Sequence, residues 1–417
     1  MRTSRLPLLL IRAFLFAACL AFTDASPAAE MTGAESVNAA GLALHRLTSP
    51  KGGNALLSPW SIQNAMAMTF VGAEGETRAE MSAALHLHNG SHADFKKLGA
   101  ELTAEIPKDA ELRTANRLFS SAKFALLPAF TGSIAQNYGG AVEEMDFTVP
   151  DKAATRINGW VEKQTNQHIK DLVPANALNS LTRLVLVNAT YFNVPWREQF
   201  TKELTKDEPF MIGAGMQKTV PMMFKQTRMR YARKPGFQMA ALPYSGGRFQ
   251  FIVIVPDRED GLAAVEKAIT PALLTECSVM PLAEVRLSLP RFKMEPPTMN
   301  LNESLQNVGV KRAFTERAEF GGMARESPFI SDVFHKTFIA VDENGTEAAA
   351  ATAAVVMTKN GHPHDVPHEV VKADRPFFFA IQHVASGACL FIGRVSDPAP
   401  DKPAVKAVSP APSVPKK

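Results

Sequence analysis

The stretch from Glu343 to Asn360 carries two conflicting local preferences on the same residues. Glu347 to Ala354 is rich in alanine, the strongest helix former, so locally it favours helix. Val355 and Val356 are β-branched and favour strand, and Lys359-Asn360-Gly361 closes the segment in turn formers. A second pattern lies beneath the first. Thr346, Ala348, Ala350, Thr352, Ala354 and Val356 alternate along the chain, and all are small or apolar and uncharged. Glu347, the one charge in that window, falls on the opposite face. In a strand the alternating set would be buried and Glu347 would meet solvent. The segment therefore suits an exposed, partly helical loop in one state and a buried strand in another. A surface helix or an alanine-rich linker is the simpler alternative from composition alone.

The flanks bear on that choice. Glu343-Asn344-Gly345-Thr346-Glu347-Ala348-Ala349-Ala350-Ala351-Thr352 resembles the hinge of the serpins, the serine protease inhibitor family. Ala373-Asp374-Arg375-Pro376-Phe377-Phe378-Phe379-Ala380-Ile381 and Leu390-Phe391-Ile392-Gly393-Arg394-Val395 resemble that family's C-terminal signature. Ser58-Pro59-x-Ser61-Ile62 and Leu287-Ser288-Leu289-Pro290-Arg291-Phe292-Lys293-Met294 are further specific matches. The likeness covers nearly the whole mature chain. It implies an α+β serpin fold with three β-sheets, eight or nine helices and an exposed reactive-centre loop at about 343–364.

The same resemblance implies suicide-substrate inhibition, a mechanism carried from the family rather than read from these residues. A protease attacks the loop, an acyl-enzyme forms, and the freed hinge enters the central sheet as a new strand before deacylation. The residues meet the physical demands of that step. Gly345 permits the backbone to swing, and the tract 346–356 is small and has no charge facing the core. The family's spacing, seventeen residues counted inclusively from Glu343, sets the reactive bond at Lys359–Asn360, with Met357–Thr358 the alternative. A lysine before the bond suits a trypsin-like pocket, and Met357 suits a chymotrypsin-, elastase- or subtilisin-like one. The family's basic–acidic hinge pair would be Arg291 with Glu343, and Trp196, Ser58 and Ser61 would lie in the region where the loop inserts. A non-inhibitory serpin with a chaperone, binding or storage role is the alternative, although the unbroken hinge argues for an inhibitor. The expected partner is a serine protease held in covalent complex by a monomeric inhibitor.

Met1 to about Ala29 reads as an export signal: Arg2 and Arg5, an apolar run to Phe22, then small residues for cleavage. Phe16-Ala17-Ala18-Cys19 weakly resembles a bacterial lipobox. The expectation is therefore a bacterial exported protein, secreted or periplasmic, or lipid-anchored through Cys19. Residues 30–397 read as one serpin domain, and the Pro-, Ala- and Lys-rich 398–417 as a disordered tail. Only Cys277 and Cys389 remain beyond the signal, too few for a disulfide scaffold. Leu184 to Phe192 reads as a strand buried on both faces. Ile157, Trp160, Val161 and, after a polar turn, Ile169 and Leu172 have helical spacing, in a segment resembling the family's helix across the front of the sheet.

Enzyme motifs are missing: there is no Gly-x-Ser-x-Gly elbow and no Gly-x-x-x-x-Gly-Lys loop. His368-Glu369 starts like a zinc-protease motif, but Lys372 stands where the second histidine belongs. The groups His86, His88, His92 and His362, His364, His368 read as solvated loops, with no metal site assigned. No cofactor is expected. The formal charge of +4 carries no basic stripe for nucleic acid, and Lys96 with Lys97 are too few for a heparin site. Asn89, Asn188, Asn302 and Asn344 begin formal glycosylation sequons, of which Asn188 falls inside an expected strand and Asn344 in the hinge.

Overall fold

Thr32 opens the first helix through a reciprocal cap, its side chain accepting from Glu35 N–H while the Glu35 carboxylate accepts from Thr32 N–H. The computed structural model describes residues 31–398 apart from 105, 109, 139–141, 214 and 347–367. In chain order come α1 (Gly33–Thr48), β1 (Ala55–Leu57), α2 (Pro59–Phe70), α3 (Gly75–Leu85) and α4 (Ser91–Thr103). Next are β2 (Glu111–Ser121), α5 (Pro128–Tyr138), β3 (Val142–Met145), α6 (Pro150–Gln164) and β4 (Leu184–Pro195). A strand-rich middle contains β5 (Lys206–Gly213), β6 (Met216–Lys234), β7 (Phe237–Pro243) and β8 (Phe249–Pro256). It continues through α7 (Leu262–Ala268), α8 (Pro271–Glu276), β9 (Leu282–Pro290), β10 (Phe292–Met294), β11 (Met299–Asn300) and α9 (Asn302–Asn307). The last strands are β12 (Ile330–Thr337), β13 (Ile339–Val341), β14 (Gly345–Thr346), β15 (Glu369–Lys372), β16 (Phe377–His383) and β17 (Cys389–Val395).

The strands form two hydrogen-bonded networks. In the larger, the 19-residue β6 pairs with β5 and β9 as far as Arg230, then with β7 from Arg230 to Lys234. β6 thus joins two sheets, β5-β6-β9-β15 and β6-β7-β8-β16-β17-β1. With the second network, the expected three sheets are present, two of them continuous.

The second network is built around β4. On one side β4 pairs antiparallel with β2, and β3 lies beyond. On the other it pairs with two different strands: parallel with β12 over Leu184–Thr190, then antiparallel with β14 at Val194 and Pro195. Both faces of β4 are covered, so its run of apolar residues is continuous rather than alternating. Leu184, Leu186 and Phe192 join the main core. Val185, Val187 and Ala189 form a smaller cluster with Ala153, Ile157 and Val161 of α6.

α2 is buried on every side, and its one long polar side chain on the buried faces, Gln63, donates to Ser36 Oγ at 2.8 Å. Ser58 caps it and Pro59 takes its first position, where a missing N–H costs nothing. α6 stops at the polar turn that interrupts the apolar spacing. It ends at Gln164, because Asn166 and Gln167 adopt left-handed backbone with φ of 48° and 65°. Ile169 and Leu172 therefore reach the α6 cluster from an irregular segment, not from the helix.

Candidate functional site

The hinge begins as a tight turn between β13 and β14. Asp342 Oδ1 accepts hydrogen bonds from the backbone N–H groups of Asn344, at 2.7 Å, and Gly345, at 3.2 Å. Glu343 projects from this turn into a clamp. Arg291 reaches its Oε1 with Nη2 at 2.5 Å and Nε at 2.7 Å, and the Thr205 hydroxyl donates to the same oxygen. The Glu343 side chain is only 3% exposed, against 44% for Arg291. Burial pushes the carboxyl pKa up, but the hydrogen bonds from Arg291 and Thr205 outweigh it and leave the group below its ordinary range.

Gly345 and Thr346 form β14, wedged between β4 and β13. A Cβ on Gly345 would lie 2.4 Å from Val194 O and 2.5 Å from Pro195 Cα. Both are backbone atoms and cannot yield. The glycine is therefore required by close approach of the chains as well as by any later freedom to swing. Thr346 is fully buried, with its hydroxyl 2.6 Å from the Tyr244 phenol. The Tyr244 ring stacks on Trp196 at 4.5 Å, and the Trp196 indole N–H donates to Asp342 O at 2.8 Å. Trp196 N–H donates to Asn344 O and Phe200 N–H to Glu343 O, each at 2.9 Å. Two residues of the hinge are thus already strands of the sheet.

Below this seat the sheet is closed, since β4 and β12 bond directly to one another. A polar layer crosses the seam. Asn188 stands opposite His335, and Thr190 opposite Thr337. His335 Nε2 accepts from Ser58 N–H at 3.1 Å, so its Nδ1–H donates to Asn188 Oδ1. Burial draws the His335 pKa down to about 3 and keeps the ring neutral. Ser61 donates to Asn116 Oδ1 at 2.8 Å, on the strand flanking β4. Asn188 Nδ2, Thr190 Oγ1 and Thr337 Oγ1 are buried without a hydrogen-bond partner. Three such atoms along one seam mark it as incompletely satisfied.

Arg291, Glu343, Gly345, Thr346 and Trp196 thus converge on one place. Ser58 and Ser61 do not join them. They serve the polar layer at Asn188, eight residues along β4 from Trp196, or roughly 25 Å at the usual strand rise. Glu347, Ala348, Ala349, Ala350, Ala351, Thr352, Met357, Thr358, Lys359, Asn360, His362 and His364 lie outside the described residues, as do Cys19 and the proposed signal and most of the tail. His92 is bonded to the Tyr138 hydroxyl at 2.6 Å, His88 faces Asp94 at 3.4 Å, and His368 lies 3.3 Å from Gln226. Tyr244, Thr205, Asn188 and His335 were not singled out as site residues from sequence. Asn188 and Thr190, polar residues inside an apolar strand, gave the one available signal. Tyr244 gave none, because its partner is 102 residues away.

The family model described as serpin (serine protease inhibitor) matches residues 35–398. A leukocyte elastase inhibitor from Bos taurus is 39% identical over 365 residues, covering 83% of this chain and 93% of its own. Serpin B6 from Pongo abelii is 39% identical over 356 residues, with the same coverage of each. Among solved structures, maspin superposes with a TM-score of 0.80 at 25% identity, covering 88% of this chain and 98% of its own. The chain belongs to the serpins, and its class is inhibitor of serine-type endopeptidases.

The comparisons correct one expectation. The leukocyte elastase inhibitors and serpin B6 are intracellular serpins, which points away from a secreted or periplasmic protein and from a lipid anchor at Cys19. Bacterial origin likewise finds no support, since these relatives are mammalian.

Proposed function

We propose that this chain is a suicide-substrate inhibitor of trypsin-like serine proteases, with Lys359–Asn360 as its reactive bond. The protease serine attacks the Lys359 carbonyl, an ester forms, and the Asn360 amine leaves with the C-terminal segment. Residues beyond Thr346 then enter the sheet before water can hydrolyse the ester.

The observation that carries this reading is the register of β14. Thr346 lies opposite Val194 in an antiparallel pair. Advancing that register ten residues sets position 356 opposite 184, the first residue of β4. The small tract 346–356, whose core-facing alternate residues are uncharged, therefore matches the length of strand available to it. In the same register Ala350 comes opposite Thr190 and Thr352 opposite Asn188, bringing a hydroxyl to the level where Asn188 Nδ2 lacks a partner. Entry between β4 and β12 replaces one ladder by two. At about 0.5–1.5 kcal/mol per net hydrogen bond, about ten added residues contribute on the order of ten kcal/mol.

The Met357–Thr358 bond is the second reading. It is favoured by relatives named leukocyte elastase inhibitor, because an apolar residue suits a pocket that lacks a carboxylate. Incubating the chain with trypsin, and separately with elastase, distinguishes the two. A band at the summed masses that survives denaturation, with a new N-terminus at Asn360, supports the first bond; one at Thr358 supports the second. Cleavage by both enzymes without any stable complex would overturn inhibition itself.

A further inference from the structure

A groove of about 590 Å³ opens between α6 and the edge formed by β2 and β3. Arg117 enters it from β2 and Glu143 from β3. Lys152, Arg156, Gly159 and Lys163 supply one face of α6, at the spacing that keeps residues in line along a helix. Four cations and two carboxylates, Glu143 and Asp151, line the groove. Glu143 is committed to both Arg117 and Arg156. The Lys152 and Lys163 ammonium groups have no ion-pair partner among the described residues, and they stand eleven residues apart, about 16 Å along the helix.

Two observations argue that this is more than a solvated charged face. Arg117 Nε is buried without a hydrogen-bond partner, although its guanidinium is fixed 4.2 Å over the Trp160 ring. The guanidinium, 20% exposed at the groove wall, thus keeps donor capacity that the fold does not use. Gly159 sits in the middle of α6, where glycine weakens a helix relative to alanine. A Cβ there would meet nothing within 4 Å, and its φ is not left-handed, so neither packing nor backbone shape calls for glycine. What the missing side chain does is keep the groove open between Arg156 and Lys163.

We propose that this groove binds a small oligophosphate. Its charged groups would be taken by Lys152, Lys163 and the exposed part of the Arg117 guanidinium, and its body would cross Gly159 beside Trp160. A ligand so placed ties α6 to the β2–β3 edge and holds it over the Val185–Ala189 face of β4. Binding itself does not depend on whether the chain inhibits a protease.

The test is calorimetric titration of the full chain with inorganic tripolyphosphate at physiological salt, where exposed charges are screened beyond about 8 Å. Saturable binding at one site is expected. Lys152→Ala/Lys163→Ala and, separately, Gly159→Leu should each weaken it by about tenfold or more; the lysine variant should leave the melting temperature of the free protein nearly unchanged, and Gly159→Leu should raise it slightly. Gly159→Leu keeps every charge and fills the groove; Gly159→Gln serves the same purpose if the leucine variant does not fold. The absence of saturable heat up to about 1 mM ligand would overturn the proposal. So would undiminished binding in the filled-groove variant, which would reduce the effect to general attraction by surface charge.

Discussion

Thr346→Arg tests the hinge seat most directly. In the resting fold Thr346 is fully buried and shares a hydrogen bond with Tyr244, which stacks on Trp196. A guanidinium has two courses open to it. Remaining in the seat buries an unpaired ion, at several kcal/mol. Leaving takes β14 out of the sheet and strands the buried Tyr244 hydroxyl, at about 1–3 kcal/mol. The second course is cheaper, so the variant rests with its hinge unseated. After cleavage, insertion must first re-bury the guanidinium; if that costs about 1–3 kcal/mol more than staying unseated, insertion slows by about five- to 150-fold at 1.36 kcal/mol per tenfold. Hydrolysis of the acyl-enzyme is untouched, so the partition moves towards released, cleaved chain. The assay is the number of inhibitor molecules consumed per protease trapped, measured with whichever protease the parent captures. That number should climb, and the covalent band should fade while the cleaved band persists. An undiminished covalent band at unchanged stoichiometry would refute the reasoning.

Three further outcomes follow from the same geometry. His335 stays neutral in the fold to about pH 3, against an ordinary 6.5, so below pH 6.5 only the unfolded chain takes up its proton. Stability is then fully present above that pH and falls on acidification by up to about 1.4 kcal/mol per pH unit; denaturant unfolding at several pH values should show it, and His335→Gln should flatten the slope. Gly345→Ala places a methyl against the Val194 and Pro195 backbone, so β14 should detach, read as a shift in Trp196 emission; an unchanged spectrum would contradict the close approach. Arg291→Ala leaves Glu343 buried with Thr205 alone, and because Arg291 is 44% exposed the loss should be about 1–3 kcal/mol rather than the full value for a buried pair. Thermal unfolding measures it, and Arg291→Lys should recover part.

The parts of this molecule legible from sequence are those whose signal is local. β4 showed as an unbroken apolar run, because cover on both faces removes any alternation. The polar turn after α6 was legible as well: Asn166 and Gln167 interrupt the apolar spacing and take left-handed backbone, and Ile169 and Leu172 rejoin the cluster beyond it. The ion clamp at Glu343 became visible through family likeness, not through any property of Arg291 itself. Tyr244 and His335 stayed hidden because each acquires its meaning from a partner brought close only by the sheet. Gly345 was read for freedom, yet the structure adds a reason that runs the other way: a neighbour too near to allow a side chain.

Starting a strand between two others is harder than lengthening one, since the first residue must part both neighbours before it gains a full set of bonds. β14 has already passed that point, with Thr346 bonded into register against Val194 on one side and Val341 on the other. What would follow a cut in the loop is therefore a zipper running from a fixed end rather than a search for one. On the proposed mechanism the starting tooth and the track would be separate in the chain: changes at 345 and 346 would decide whether the run begins, and changes from 348 to 356 how fast it travels. The first closed pair it meets on the way down is Thr190 with Thr337, whose hydroxyls are both still unpaired.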